Sequence, residues 1–393
     1  MVASDPRADI ARVFGERFIT LTDPTDLRIR AVQFDYQKLE WRALDAGTEA
    51  DFKYLTSLQS GVFGITSQDL SGNLWAVVFL RDAGPSSSYL YDRAAHKARL
   101  LFRDFPDLEK YTLAEMKPLE IAARDGFKLL SYLTLPPGGS GKNLPLVLSV
   151  HGGPWARDEW GYDPYAQWLA NRGYAVLQVN YRASTINEPY MNAGNNRIGT
   201  GTDDDLTDAV AWAVREGIAD PKRIAIMGAS FGGYSVLRGL TLHPDLYACG
   251  VDIVGPSDMA TLMNSIPDYW QPVKKRWLRR IGDVTSDAEL NRKISPLYHA
   301  ADIHVPLLIG HGLHDPRVQV EHSVKIADTV RKNGGKVTLI VYSDEGHGFA
   351  RPENNLDFNG RTEEFLHGCV GGRYEPWQKV PGSTAEVKTG ETK

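Results

Sequence analysis

The sequence has little cysteine, no long apolar run and no excess of positive charge. Its two cysteines, Cys249 and Cys369, are too few for a disulfide framework or a metal-binding set, and Cys249 lies in an apolar segment typical of a small core residue. No apolar run approaches the roughly 20 residues that a membrane span needs. The 44 basic and 49 acidic residues give a net charge of −5, which offers no polycationic surface to nucleic acid. The sequence therefore predicts no metal, membrane or nucleic-acid partner.

The first residues also lack the features of a targeting signal. Residues 1–15 contain acidic side chains and no apolar core segment, so a signal peptide is not expected. Together with the low cysteine content, this predicts a cytoplasmic location. An apolar content of 42% and a charged content of 24% are ordinary for a globular protein.

Residues 1–112 are predicted to form a β-rich N-terminal domain. Short strand-like segments alternate there with polar turns such as the Ser-Gly-Asn at residues 71–73. This pattern is typical of part of a β-propeller, and at about 40–50 residues per blade the length suffices for about two blades. A small β-rich cap is the alternative. Exposed strand edges invite pairing between copies, which makes a homo-oligomer an alternative to a monomer.

Residues 113–379 are predicted to form an α/β catalytic domain. Strand-like and helix-like segments alternate there, which indicates a mostly parallel sheet with helices on both faces. The acidic residues 203–205 open one helix and suit its dipole. Residues 257–300 break the alternation and are expected to form an insertion. Residues 380–393 are polar and are predicted to be a loose tail.

The segment around Ser230 has the pattern of a nucleophile elbow. An apolar run at residues 224–227, typical of a buried strand, precedes Gly-Ala-Ser-Phe-Gly at residues 228–232. A helix-like segment follows, so the serine stands at the apex of a strand, a tight turn and a helix. The helix N-terminus there stabilises developing negative charge. The alternative is a glycine-rich turn that carries an idle serine.

A serine nucleophile needs a base and a carboxylate that orients the base. His347 follows the last predicted strand, and Asp315 follows the strand before it. The order Ser230, Asp315, His347 is the chain order of α/β-hydrolases. Structural roles in loops are the alternative for the last two. His311 and His314 rank lower as the base because both precede Asp315 in the chain. Asp344 and Glu345 rank lower as the carboxylate because neither follows the expected strand.

The negative oxygen of a tetrahedral intermediate needs hydrogen-bond donors. One is expected to be the backbone N–H of Phe231, the residue after the nucleophile. The other is expected from the His-Gly-Gly-Pro segment at residues 151–154, which follows an apolar strand. Gly153 is the first choice and Gly152 the second, whereas Pro154 has no N–H to donate. A plain Gly-Gly-Pro turn is the alternative.

Several motifs together resemble the prolyl oligopeptidase family of serine peptidases, over about residues 115–375. They are the segments just described and the sequences Asn-Tyr-Arg-Ala-Ser at 180–184 and Gly-Thr-Asp-Asp-Asp-Leu-Thr-Asp at 201–208. The version Gly-Ala-Ser-Phe-Gly-Gly-Tyr at 228–234 is similar to the acylaminoacyl-peptidase branch. The resemblance implies the same three catalytic residues and a role for Arg317 in holding a substrate carbonyl. It also implies an apolar specificity pocket, with Phe231, Tyr269 and Trp270 as candidates.

The predicted protein is a serine hydrolase of the α/β-hydrolase fold that cleaves peptide or acyl-ester bonds. No metal or organic cofactor is expected. Members of this family carry a complete propeller, and the sequence departs from them in that only its expected end, residues 17–112, is present. A carboxylesterase with little peptidase activity is the alternative, because ester and peptide cleavage share the acyl-enzyme route. A non-catalytic binding protein on the same scaffold is a further alternative.

Overall fold

The N-terminal part of the chain forms small antiparallel β-sheets, which confirms the predicted β-rich region. The computed structural model describes residues 3–13 and 17–388. The elements there are, in chain order, β1 (Arg12–Val13), β2 (Arg17–Phe18), β3 (Thr20–Thr22), β4 (Ile29–Asp35), β5 (Leu39–Ala43), α1 (Ala46–Leu58), β6 (Val62–Gln68), β7 (Leu74–Leu80), β8 (Ser87–Asp92), β9 (Lys97–Arg103) and a 3₁₀ turn (Pro106–Lys110). Strands β3 to β5 form one sheet and β6 to β9 another.

Alternating side chains give this region its own core. In β7, Trp75, Val77 and Phe79 are buried while their neighbours are only partly so, because successive strand residues face opposite sides. The three side chains cluster with Phe52 and Leu55 of α1. The predicted boundary near residue 112 remains a prediction.

One nine-stranded sheet organises the rest of the chain. Its strands are β10 (Met116–Ala122), β11 (Lys128–Thr134), β12 (Leu144–Val150), β13 (Ala175–Val179), β14 (Ala219–Ala229), β15 (Cys249–Ile253), β16 (Leu307–Gly312), β17 (Val337–Tyr342) and β18 (Ala385–Lys388). The helices are α2 (Pro164–Asn171), α3 (Glu188–Asn192), α4 (Gly201–Arg215), α5 (Phe231–Leu242), α6 (Met259–Ser265), α7 (Gln271–Ile281), α8 (Ala288–Ile294), α9 (Glu321–Lys332) and α10 (Pro352–Val370).

The strand order is β10-β11-β13-β12-β14-β15-β16-β17-β18. Strands β12 to β17 run parallel, whereas β10, β11 and β18 join antiparallel at the two ends. The central strands are buried on both faces, as the apolar runs predict. Helices α4, α5 and α9 contribute to the core on one face, and α2 and α10 contribute to the core on the other. The predicted α/β-hydrolase fold is confirmed.

The segment between β15 and β16 departs from simple alternation. It holds α6, α7 and α8 with two 3₁₀ turns, Asp268–Trp270 and Pro296–Asp302. This is the insertion that the sequence predicts at residues 257–300. Among the described residues, no helix is long and apolar enough to cross a membrane.

The prediction of a loose tail at residues 380–393 is wrong for its middle part. Strand β18 pairs antiparallel with β17, from Leu339 opposite Lys388 to Tyr342 opposite Ala385. The physical reason is that β17 would otherwise leave a row of unpaired backbone groups at the sheet edge. Residues 389–393 lie outside the described part of the chain.

The two cysteines, too few for a disulfide framework, nevertheless pair with each other. Cys249 on β15 and Cys369 on α10 form a disulfide across a sequence separation of 120 residues. They meet because α10 packs against β15 on one face of the sheet. Cys249 is still fully buried in the core, as its apolar neighbours indicate.

Candidate active site

Ser230 stands at a strained turn between β14 and α5. Its backbone angles are φ 59° and ψ −118°, a conformation that residues other than glycine rarely adopt. Its N–H donates to the Ile253 carbonyl at 2.8 Å, which anchors the turn to β15. A Cβ on Gly228 would lie 2.6 Å from the Gly232 carbonyl oxygen, and one on Gly232 would lie 2.1 Å from the Val150 carbonyl oxygen. The turn therefore closes only with glycine on both sides.

The structure brings Ser230, His347 and Asp315 into one hydrogen-bonded row. His347 Nε2 lies 3.0 Å from Ser230 Oγ, and His347 Nδ1 lies 2.7 Å from Asp315 Oδ2. The serine follows β14, the aspartate follows β16 and the histidine follows β17. They meet because the carboxyl ends of parallel strands share one edge of the sheet. Such a row can pass the hydroxyl proton to the imidazole while the carboxylate holds the Nδ1 proton.

The carboxylate of Asp315 is held in its charged form. Its side chain is fully buried, and burial alone would raise its pKa. The hydrogen bond from His347 and the backbone N–H groups of Val318 and Arg317 outweigh that effect and lower the pKa. Those two N–H groups donate to Oδ1 at 2.9 Å and 2.8 Å. The charged carboxylate thus has a partner on each oxygen.

The two competing histidines lie outside this row. His311 is buried, with Nδ1 2.7 Å from Ser323 Oγ and Nε2 donating to the Val318 carbonyl at 2.8 Å. Burial lowers its pKa, so it stays neutral. Its Nε2 lies 3.6 Å from Asp315 Oδ2, farther than His347 Nδ1, which lies 2.7 Å from the same oxygen. His314 is exposed at the surface.

The two competing carboxylates shape the loop that carries His347. Glu345 is buried and accepts from the backbone N–H groups of Ala350 and Arg351, both at 2.9 Å, and from Asn354 Nδ2 at 2.8 Å. Asp344 bonds to the side chains of Arg351, Asn354 and Thr384 at the surface. The sequence analysis did not predict this positioning role of Glu345. The available signal was its place two residues before His347.

The His-Gly-Gly-Pro segment lies against the nucleophile turn. A Cβ on Gly152 would lie 3.5 Å from Ser230 Cβ and 4.0 Å from the Phe231 nitrogen. Gly153 adopts φ +126°, which favours glycine. His151 holds the segment, because its Nδ1 lies 2.7 Å from the Gly152 carbonyl oxygen and its ring stacks on Tyr181. Burial lowers the pKa of His151 to about 4, so it is neutral. The oxyanion role of Phe231, Gly153 and Gly152 stays a prediction.

The predicted substrate-binding residues are more scattered. Arg317 is exposed, and its guanidinium forms no ion pair with any residue in the described part of the chain. Tyr269 and Trp270 are 78% and 42% exposed and contact each other edge to face. Their assignment to a specificity pocket stays a prediction. Phe231 is buried and packs against Tyr234.

A buried ion pair joins two of the motifs that carry the family resemblance. Arg182 follows β13 and donates from Nη2 to Asp205 Oδ1 of α4 at 2.6 Å and from Nη1 to Asp125 Oδ2 at 3.0 Å. The Asp205 side chain is fully buried, and burial raises its pKa despite the arginine. Asp205 therefore pairs with Arg182 rather than only serving the helix dipole. Asp203 of the same helix is likewise buried, 3.5 Å from Arg238.

Comparisons with known proteins indicate one family for this chain. A sequence profile described as the prolyl oligopeptidase family matches residues 160–373. Dipeptidyl aminopeptidase BIII of Pseudoxanthomonas mexicana is 44% identical over 401 residues, which cover 99% of this chain and 57% of that protein. The chain spans about half the length of the curated relatives it matches.

Solved structures share the fold. A puromycin-hydrolyzing peptidase of Mycobacterium tuberculosis superposes with a TM-score of 0.74 at 23% identity, covering 91% of this chain and 54% of that chain. An acylaminoacyl peptidase of Pyrococcus horikoshii gives 0.71 at 22% identity, covering 88% and 55%. The profile match and the identity to the Pseudoxanthomonas enzyme show that this chain belongs to the prolyl oligopeptidase family of serine peptidases.

Proposed function

We propose that this chain hydrolyses peptide bonds through an acyl-enzyme on Ser230. The observation that carries the proposal is the row of Ser230 Oγ, His347 Nε2 and Nδ1, and Asp315 Oδ2, joined at 3.0 Å and 2.7 Å. Ser230 acts as the nucleophile, His347 as the general base and then acid, and Asp315 as the group that orients the imidazole. The strain at Ser230 and the burial of Asp315 support these roles.

The chemistry follows from that row. His347 Nε2 takes the hydroxyl proton as Ser230 Oγ attacks the substrate carbonyl carbon. The carbonyl oxygen becomes negative and is stabilised by the N–H groups of Phe231 and of Gly153, with Gly152 as the second choice. The imidazolium then gives its proton to the departing amine, which leaves an acyl ester on Ser230. His347 then takes a proton from a water molecule, which attacks the acyl ester. The carboxylic acid leaves, and His347 returns the proton to Ser230 Oγ.

The proposed substrates are peptides with a free amino terminus, from which dipeptides are released. This substrate class is supported by the Pseudoxanthomonas relative, a dipeptidyl aminopeptidase that is 44% identical across 99% of this chain. The likeness to acylaminoacyl peptidases is weaker: the Pyrococcus structure at 22% identity supports the fold alone, and the acylamino-acid-releasing enzyme of Arabidopsis thaliana is 26% identical over 56% of this chain. No observation on the structure favours the carboxylesterase alternative.

The test is a substrate panel on wild type, Ser230→Ala and a matched control, Ser265→Ala, whose hydroxyl only bonds within α6. The panel holds a dipeptidyl anilide, an acyl-aminoacyl anilide and a short-chain p-nitrophenyl ester. We expect wild type and Ser265→Ala to cleave the dipeptidyl anilide and to react with a fluorophosphonate probe, and Ser230→Ala to do neither. Turnover or labelling that survives in Ser230→Ala refutes the assignment. Cleavage of the ester alone would support the carboxylesterase.

A further inference from the structure

Helix α7 carries a dense group of cationic side chains. Within Gln271–Ile281 there is no acidic residue, and the cationic residues are Lys274, Lys275, Arg276, Arg279 and Arg280. The opposite side of the helix, with Trp277, Leu278 and Ile281, packs on the core of the catalytic domain. Lys275, Arg276 and Arg279 are exposed on the outer side of this helix, whereas Lys274 and Arg280 are partly buried beside its apolar side.

None of these five side chains is neutralised by a neighbour in the described ranges, residues 3–13 and 17–388. Ion pairs are common elsewhere in the chain, yet none involves a residue of α7. Burial, and then repulsion from Arg276 and Arg279, lowers the pKa of Arg280. Glu188 raises the pKa of Arg280 by a weaker, opposing effect, and Asp268 accepts a hydrogen bond from Gln271. The positive charge of α7 is thus left for an external anion.

The helix adjoins the loop that lies over the nucleophile. That loop begins at Gly152, next to Ser230, and continues to Trp155. The Trp155 ring lies 5.3 Å from the Trp277 ring, and the Arg280 guanidinium lies 5.6 Å from the centre of the same Trp155 ring. Trp155 therefore connects α7 to the loop whose Gly152 lies beside Ser230.

We propose that α7 recognises acidic peptides and makes this chain prefer substrates with carboxylate side chains near the cleaved bond. The inference rests on the proposed peptidase function and deepens it. The favoured anion is a peptide rather than a nucleic acid or a membrane surface, because the cationic group is one helix on a chain of net charge −5. A larger anionic surface would also meet the acidic remainder of the protein.

The experiment compares two internally quenched peptides that differ only in three Glu or three Gln residues on the leaving-group side, built on the best cleaved sequence of the panel. The charge-reversal variant is Lys275→Glu/Arg279→Glu. The matched control, Lys325→Glu/Lys332→Glu on α9, makes the same change in net charge on a different helix.

We expect wild type to cleave the Glu peptide with a kcat/KM about tenfold above that of the Gln peptide at low salt, equivalent to about 1.4 kcal/mol. The preference should reside in KM and should shrink with salt, as the Debye length falls from about 30 Å at 0.01 M to about 10 Å at 0.1 M. Lys275→Glu/Arg279→Glu should lose or invert the preference, measured as the ratio of its kcat/KM on the Glu peptide to its kcat/KM on the Gln peptide. The α9 control should behave as wild type.

Equal rates on the two peptides, or an equal loss of preference in the α9 control, overturn the recognition by α7 and leave the peptidase proposal standing. Failure to cleave either peptide, or cleavage that survives in Ser230→Ala, instead refutes the peptidase proposal. In that case fluorescence anisotropy of the Glu and Gln peptides on Ser230→Ala, with and without the α7 reversal, still decides whether α7 binds acidic peptide. Tighter binding of DNA or of anionic vesicles than of the Glu peptide would also overturn it.

Discussion

Replacing Asp315 by Asn tests the proposed row, because the two side chains have the same shape. Oδ1 of Asp315 accepts from the backbone N–H groups of Arg317 and Val318, and Oδ2 accepts from His347 Nδ1. An amide nitrogen cannot accept, so the Asn oxygen should keep the two backbone donors and its NH₂ should face His347. The imidazole must then accept at Nδ1 and carry its proton on Nε2. In that tautomer it donates to Ser230 Oγ and cannot take the serine proton.

The expected loss is roughly 10⁴-fold in kcat, which corresponds to about 5.4 kcal/mol of transition-state stabilisation. The assay is steady-state hydrolysis of the dipeptidyl anilide, and burst labelling by a fluorophosphonate should slow in parallel. Stability should change little, since the backbone N–H groups keep their acceptor. Asp315→Ala is the contrasting variant, because it also leaves both buried donors unpaired at about 1–3 kcal/mol each. A kcat of Asp315→Asn within about tenfold of wild type would refute the reasoning.

Three further predictions concern stability, each measured by chemical denaturation. Arg182→Met should cost about 3–5 kcal/mol because it leaves the carboxylate of Asp205 buried and unpaired, and Arg182→Met/Asp205→Leu should recover most of that loss; equal losses in both variants would contradict the ion-pair argument. Burial raises the pKa of Asp252 from 3.8 to about 7, so the stability that its protonated form contributes is complete below pH 3.8 and is lost as the pH rises through about 7. Asp252→Asn should therefore gain on wild type as the pH rises from 3.8 to about 7, whereas a difference that stays constant over this range would be the contrary result. Cys369→Ser should lose about 2–4 kcal/mol under non-reducing conditions by opening the link to Cys249, and an unchanged midpoint would count against a formed disulfide.

The fold and the three residues of the row are predictable from the sequence because the signals are local. An apolar run, a glycine-bounded serine and a helix pattern stand within residues 224–240. Asp315 and His347 each follow a recognisable strand, and a parallel sheet brings such strand ends to one edge. Chain order was therefore enough to choose them over His311 and Glu345.

The remaining features depend on contacts that no local pattern records. The Arg182 and Asp205 motifs are visible in the sequence, but their meeting requires the order of β13 and α4 in space. Cys249 and Cys369 pair only because α10 crosses one face of the sheet. The cytoplasmic location stays a prediction, and the disulfide weighs against it, because such bonds persist in oxidising compartments. Strand β18 was missed because its polar residues follow no apolar alternation.

The helical segment between β15 and β16 supplies none of the three groups in the row, which stand on the ends of β14, β16 and β17. Under the proposed recognition by α7, the preference for acidic peptides would lie on a segment of chain separate from the groups that cleave the bond. We therefore expect that the segment between β15 and β16 can be replaced by the corresponding segment of a relative. Such a chimera should take on the substrate preference of that relative while it keeps Ser230, Asp315 and His347 in place.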